Sequence, residues 1–221
     1  MEVSEVSAES LKIRDLLKSQ CDSGLNPIDD SLNPVKPFSI SGKVELIIVG
    51  QDPTVKNPLS RGKIKSTLNL DADGALKRYI LKICTHLDIS FENIYATNIF
   101  KYFYSSPPAD TMDVLWEHLP PNLDLLNKEL SGYPGVPVIT LGQPVLQLLA
   151  GEDAQVHYYW GYDKKLKIKA NDFKHCPAGD NKLKRDLFPF PHQPSIIKNY
   201  YSNNRTGYLE FMKDKCKEYK Q

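Results

Sequence analysis

The sequence predicts an α/β fold: a three-layer αβα sandwich with a central, mainly parallel four-stranded sheet. Three observations point there. Four short apolar runs are each halted by a glycine, a polar turn or prolines, and stretches with helical spacing of apolar residues alternate with them. Such alternation demands crossover connections, which place helices on both faces of a parallel sheet. The chain has 221 residues, 41% hydrophobic and 25% charged, which suits one soluble domain with an ordinary core. Neither repeats nor low-complexity segments interrupt it.

Residues 1–40 read as an N-terminal amphipathic helix (Leu11, Ile13, Leu16, Leu17) and a connector rich in Pro, Asn and Ser; residues 41–221 form the α/β domain. Val44–Val49 is the first strand, stopped by Gly50. Leu76, Tyr79, Ile80, Ile83, Cys84 and Leu87 recur on one face of a helix, with Asp73 as its expected cap. Asn93–Asn98 is the second strand, and Pro107-Pro108 leads from it into helices expected to break at Pro120-Pro121. Val136–Leu141 is the third strand; after Gly142 a helix starts with Pro144 near its first position, where a missing N–H does no harm, and ends at Gly151. Residues 156–185 read as an irregular, basic and aromatic stretch forming a hairpin. In Leu187–Phe190, Pro189 lacks a ladder donor, so this fourth strand belongs at an edge. A last helix over about 204–219 packs Tyr208, Leu209, Phe211 and Met212.

Several classes are excluded. No run approaches the ~18–20 apolar residues of a membrane span. The acidic start Met1–Glu5 is unlike a secretory signal, so a cytoplasmic location is expected, nucleoid-associated in a bacterium or nuclear in a eukaryote. Cys21, Cys84, Cys176 and Cys216 are scattered singly without zinc-site spacing, so no metal is expected. A phosphate loop, a dinucleotide-binding glycine motif and a serine-hydrolase elbow are all missing.

The net charge of +1 conceals polarity: residues 1–160 carry −6 and residues 161–221 carry +7. Lys56, Arg61, Lys63 and Lys65 form a further basic run without acids. This fits a face for an anionic polymer, although solvated surface lysines give the same arithmetic.

In open parallel sheets, ligands bind beyond the carboxyl ends of the strands. That rule selects Gly50-Gln51-Asp52-Pro53, Asn98, Gly142-Gln143 and His192-Gln193-Pro194-Ser195. Asp52 before a proline is alone an ordinary turn residue, and Asn98 alone could cap a turn. Together they offer a carboxylate to orient water, an amide able to read a base edge, and an imidazole able to donate to a developing anion. His86, His118, His157 and His175 lack such company and read as structural. Tyr158-Tyr159-Trp160 and Tyr162 read as a packed hairpin rather than a stacking platform.

These residues resemble the uracil-DNA glycosylase superfamily. Gly50-Gln51-Asp52-Pro53 is similar to the first catalytic motif of its best-known branch. Tyr95-Ala96-Thr97-Asn98-Ile99-Phe100-Lys101 with Pro107-Pro108 resembles the strand carrying the base-reading asparagine in other branches. Val138–Gly142 is similar to the family's third strand and turn, and His192-Gln193-Pro194-Ser195 to its His-Pro-Ser motif; the resemblance spans roughly residues 44–212.

The resemblance implies hydrolysis of the N-glycosidic bond of uracil or a related damaged pyrimidine after base flipping, in base excision repair, by a cofactor-free monomer acting on damaged duplex or single-stranded DNA. It implies Asp52 and His192 as catalytic residues, and Gly50, Gln51, Asn98 and Leu68 as base-binding residues. Ser195, Gly142 and Gln143 would hold phosphates, Ile196-Ile197 would wedge into the stack, and Lys198, Arg205, Lys56, Arg61 and Lys63 would supply backbone affinity.

The sequence departs from the family at several points. Thr54 and Val55 stand where the best-known branch has Tyr and His, which implies a lower wall against the thymine methyl. No Phe lies between Pro53 and Asp71, leaving Leu68 or Leu70 as the base platform, and Gln193 is inserted into the His-Pro-Ser motif. Two other readings stay open at this point: a non-catalytic DNA- or nucleotide-binding relative, and a small-molecule nucleoside hydrolase.

Overall fold

The computed structural model describes residues 1–20, 27–108, 112–163, 168–169, 172–197 and 199–218. In chain order its strands are β1 (Ile28–Asp29), β2 (Phe38–Ser39), β3 (Leu46–Gly50), β4 (Ile94–Asn98), β5 (Phe103–Tyr104), β6 (Val138–Leu141), β7 (Tyr162–Asp163), β8 (Ile168–Lys169) and β9 (Leu187–Phe190). Its helices are α1 (Val3–Gln20), α2 (Ala75–His86), α3 (Met112–Leu130), α4 (Gln143–Ala150), α5 (Val156–Tyr159) and α6 (Asn199–Glu218).

The central sheet has five strands, not four, in the order β2-β4-β3-β6-β9. The four expected strands are mutually parallel, and β2 joins antiparallel to β4, with Phe38 opposite Ala96. A two-residue strand has no readable period, so only pairing reveals it. From β3 the chain steps first to β4 on one side and then to β6 on the other, so the winding reverses between β3 and β6. In open parallel sheets such a reversal is where ligands usually bind, beyond the carboxyl ends of the strands.

Alternate strand residues face opposite layers. Leu46, Ile48, Ala96, Ile139, Phe188 and Phe190 pack with Tyr79, Ile80 and Ile83 of α2 and Tyr208, Leu209 and Met212 of α6. Ile47, Val49, Tyr95, Val138 and Leu187 pack with Leu17 of α1, Leu115, Leu119 and Leu126 of α3, and Leu148 and Leu149 of α4. The near-continuous apolar character of β3 and β6 reflects this double burial.

Pro189 sits at the sheet edge as expected, and the indole N–H of Trp160 donates to its carbonyl at 2.7 Å. Trp160 is fully buried and stacks on Tyr208 at 4.4 Å, so the centre of the aromatic cluster is core. A short antiparallel hairpin, β7–β8, follows it.

Three local expectations are corrected. Gly74, not Asp73, precedes α2; Asp73 instead lies 3.7 Å from Lys77 in an exposed ion pair. α3 runs through Pro120 and Pro121 unbroken, because Leu115 and Leu119 before the prolines and Leu126 and Leu130 after them bury one continuous face. That burial outweighs the ~3 kcal/mol a helix-interior proline costs. α6 begins at Asn199, earlier than its apolar period suggests, which places Arg205 inside the helix. None of the helices among the described residues is long and apolar enough to cross a membrane.

Candidate functional site

At the carboxyl end of β3 the pairing with β4 places Gly50 opposite Asn98. It continues past both strands: Ile99 N donates to Gly50 O and Phe100 N to Gln51 O, each at 2.9 Å. The turn carrying Asp52 is therefore fixed at its root by main-chain bonds.

Asn98 is 1% exposed, yet neither Oδ1 nor Nδ2 has a hydrogen-bond partner. Buried amides are almost always satisfied, and leaving one unpaired costs about 1–3 kcal/mol. The amide is pressed against the Gly50 backbone, where a β-carbon would fall 2.3 Å from Asn98 Oδ1 and 2.9 Å from Leu68 Cδ2. Only glycine fits there.

Leu68 thus lies over Gly50 beside the amide. It is held in the left-handed region (φ 59°), as is Asn69 (φ 51°), which is unusual for a bulky side chain. Strain of this kind persists where surrounding packing imposes it and gathers at functional sites. Leu70, the other candidate platform, is fully buried in the core.

Asp52 remains partly open to water. Its Oδ1 accepts from Thr54 N at 2.8 Å and its Oδ2 from the Gln51 side-chain amide at 2.9 Å. Burial of the carboxyl raises its pKa from 3.8 to about 6, against the opposing hydrogen bonds from Thr54 and Gln51. The Thr54 hydroxyl accepts from Tyr104 N at 2.8 Å, which ties the Asp52 turn to β5.

A second group of the expected residues lies at the ends of β6 and β9, and the cleft it lines includes none of Gly50, Asp52, Leu68 and Asn98. Gly142, at φ 104°, gives its N–H to Phe190 O at 2.8 Å, and its missing side chain leaves His192 Cβ 3.7 Å from the ideal β-carbon position. Tyr79 Oη donates to Pro191 O at 3.3 Å, holding the loop to α2. The insertion is taken up in a 3₁₀ turn, Gln193–Ser195, closed by Ser195 N donating to His192 O at 2.7 Å. His192 is exposed on the rim, and desolvation by the surrounding protein lowers its pKa below 6.5. With Gln143, His157, Ser195, Tyr200 and Tyr201 it lines a cleft of about 500 Å³.

The other expected contacts divide sharply. Ile197 is 78% exposed and free to insert into a partner, but Ile196 is 7% exposed and belongs to the core, which corrects the paired wedge. Lys56 and Lys63 are exposed. Arg61 is not available to DNA: it is 4% exposed and donates to Val55 O, Tyr104 O and Ser105 O while pairing with Asp29. Three carbonyls at one place draw a guanidinium inward, something a count of charges does not disclose.

The Gln143 side chain is likewise committed, accepting from Val156 N and donating to Ala154 O, so it braces the following loop. Arg205 is half-buried on α6, and Lys198 lies outside the described residues. Sequence reading passed over Leu59, which is 86% exposed between Lys56 and Lys63 in a 3₁₀ turn capped by Asn57. The only signal was an apolar residue without helical companions inside a basic run.

The sequence matches no protein-family model and no curated protein.

Proposed function

We propose that this chain is a monofunctional DNA glycosylase of the uracil-DNA glycosylase type, removing uracil or a related damaged pyrimidine from flipped-out DNA. The single observation that carries the reading is Asn98: a buried side-chain amide with both polar atoms unpartnered, at the strand end beside the Asp52 turn. Oδ1 is suited to accept from N3–H of a uracil, and Nδ2 to donate to its O4. Leu68 forms an apolar wall beside them.

In this reading the C1′–N1 bond breaks and its electron pair leaves with the base as an anion. Asp52, ionised above about pH 6, stabilises the oxocarbenium-like sugar and orients water. Water adds to C1′ and its proton passes to the Asp52 carboxylate and then to the departing base, giving free base and an abasic sugar. Desolvation lowers the His192 pKa, which favours the neutral imidazole, and its N–H is the donor to the base oxygen. Ser195 and the start of α4 hold phosphates, Lys56 and Lys63 add sequence-independent affinity, and Ile197 fills the vacated stack.

The test is alkaline strand cleavage on labelled duplexes carrying uracil opposite guanine or adenine, thymine opposite guanine, hypoxanthine, or an oxidised pyrimidine. Wild-type protein is expected to yield product from at least one pyrimidine lesion, and Asp52→Asn to reduce it by about 10²–10⁴-fold. No product from any substrate with duplex binding intact would instead identify a non-catalytic binder. Activity on free nucleosides alone would identify a nucleoside hydrolase.

A further inference from the structure

Behind Asn98 lies a charged group that the chemistry above does not use. Lys101 and Glu129 are both 0% exposed, with Lys101 Nζ 2.8 Å from Glu129 Oε2. Tyr95 Oη donates to Glu129 Oε1 at 2.7 Å, and Lys101 Nζ donates to Asn98 O at 2.9 Å. The Lys101–Glu129 approach lies outside hydrogen-bond alignment, leaving Oε2 without an aligned donor. Glu129 thus serves as counter-ion, while an aligned ammonium N–H goes to the Asn98 carbonyl.

Stability alone gives little reason for this arrangement. Taking an ion pair fully out of water is expensive, and apolar or neutral replacements of similar volume are often neutral or stabilising. The connection to Asn98 supplies the missing reason. Its amide makes no hydrogen bond that could set its own orientation. Its position must come from its backbone and from the walls that Gly50 and Leu68 provide.

We infer that the buried Lys101–Glu129 pair, oriented by Tyr95, is a positioning device that clamps the Asn98 peptide so that its unpartnered amide is presented in one orientation. The inference rests on Asn98 being the base-selecting residue. Lys101, Glu129 and Tyr95 touch no substrate; they act through Asn98 alone. The device spans three elements: Tyr95 and Asn98 on β4, Lys101 just beyond it, and Glu129 near the end of α3.

The test is Lys101→Met with Glu129→Gln, which removes both charges and keeps an acceptor for Tyr95. Removing Lys101 alone would strand a buried carboxylate. The first readout is the Asn98 side-chain amide in a ¹H–¹⁵N spectrum of the full chain, assigned by its loss in Asn98→Ala. Wild type is expected to give two separate, slowly exchanging signals. In the double variant, with its fold kept, exchange of these signals is expected to accelerate by about tenfold or more. The second readout is uracil excision, expected to fall about 100-fold in kcat with duplex affinity unchanged, since misplacement by ~1 Å costs about that much.

A folded double variant with wild-type Asn98 signals and wild-type kcat would overturn the clamp. If the double variant does not fold, Tyr95→Phe removes a single hydroxyl and is expected to accelerate Asn98 amide exchange two- to threefold; no change there would overturn the clamp equally. If wild type excises nothing, the glycosylase reading fails, and the Asn98 signals still decide the clamp.

Discussion

The strand ends at β3 and β4 and the loop after β9 are built on opposite principles. At β3 and β4 the frame is close-packed: Asn98 is buried, Gly50 has no room for a methyl group, and the partly open Asp52 turn is tied by main-chain and side-chain bonds. At β9 the loop is open: His192 is exposed and Ile197 is 78% exposed. On the proposed function, a group that must choose one base needs a fixed, dry frame, whereas groups that meet a polymer and follow it out of its stack need freedom. The contrast predicts that substitutions at the closed end damage fold and chemistry together, and that those at the open end spare the fold.

The largest effect on fold and chemistry together is expected from Gly50→Ala. Its methyl would meet Asn98 Oδ1 at 2.3 Å, so the amide must move. Excision is expected to fall at least about 100-fold, and stability by about 1–3 kcal/mol from overpacking; steady-state kinetics and urea melts would measure both. Normal excision by this variant would break the comparison at its root.

Next come two residues from one basic run. Arg61→Ala should destabilise the fold by about 3–5 kcal/mol, since it leaves a charge partner and three carbonyls without their donor. Lys63→Ala should change stability by less than about 0.5 kcal/mol while lowering the salt slope of duplex binding by about one. The adjacent isoleucines separate in the same way. Ile196→Ala should cost about 2–4 kcal/mol, and Ile197→Ala should leave the melting temperature unchanged while weakening lesion-duplex binding.

A pH-dependent effect is expected at Asp52. Folding raises its pKa from 3.8 to about 6, so the folded state binds the proton more tightly and stability falls as pH rises between those values. Above pH 6 the penalty is constant. Asp52→Asn should therefore stabilise the protein at pH 7.5 by about 1–2 kcal/mol, a value reduced for partial solvent access. It should give no gain near pH 3.5. Thermal melts at the two pH values compare them directly, and a wild-type excision profile should lose activity as pH drops through about 6.

The parallel strands were legible because double burial writes itself as unbroken apolar runs, and the rule of strand ends then reached Gly50, Asp52, Asn98, Gly142 and His192 without further information. The rest depended on contacts that no local pattern records. β2 is two residues long and exists only through its pairing with Ala96 and Tyr95. Pro120 and Pro121 look like breakers until the apolar face on both sides is seen to be buried. Arg61 reads as a surface cation until Val55, Tyr104 and Ser105 turn their carbonyls to it. Lys101 stood within the Asn98 motif, but its ion pair with Glu129 joins residues far apart in sequence.

On the proposed function, the Asn98 amide is unpartnered because it awaits the edge of a base. The most direct test is a titration of ¹⁵N-labelled protein with free uracil and, separately, with 3-methyluracil, following the Asn98 side-chain amide. A saturable shift is expected with uracil and none with 3-methyluracil, whose N3 can no longer donate to Oδ1. Equal shifts with both, or no shift with either, would contradict it.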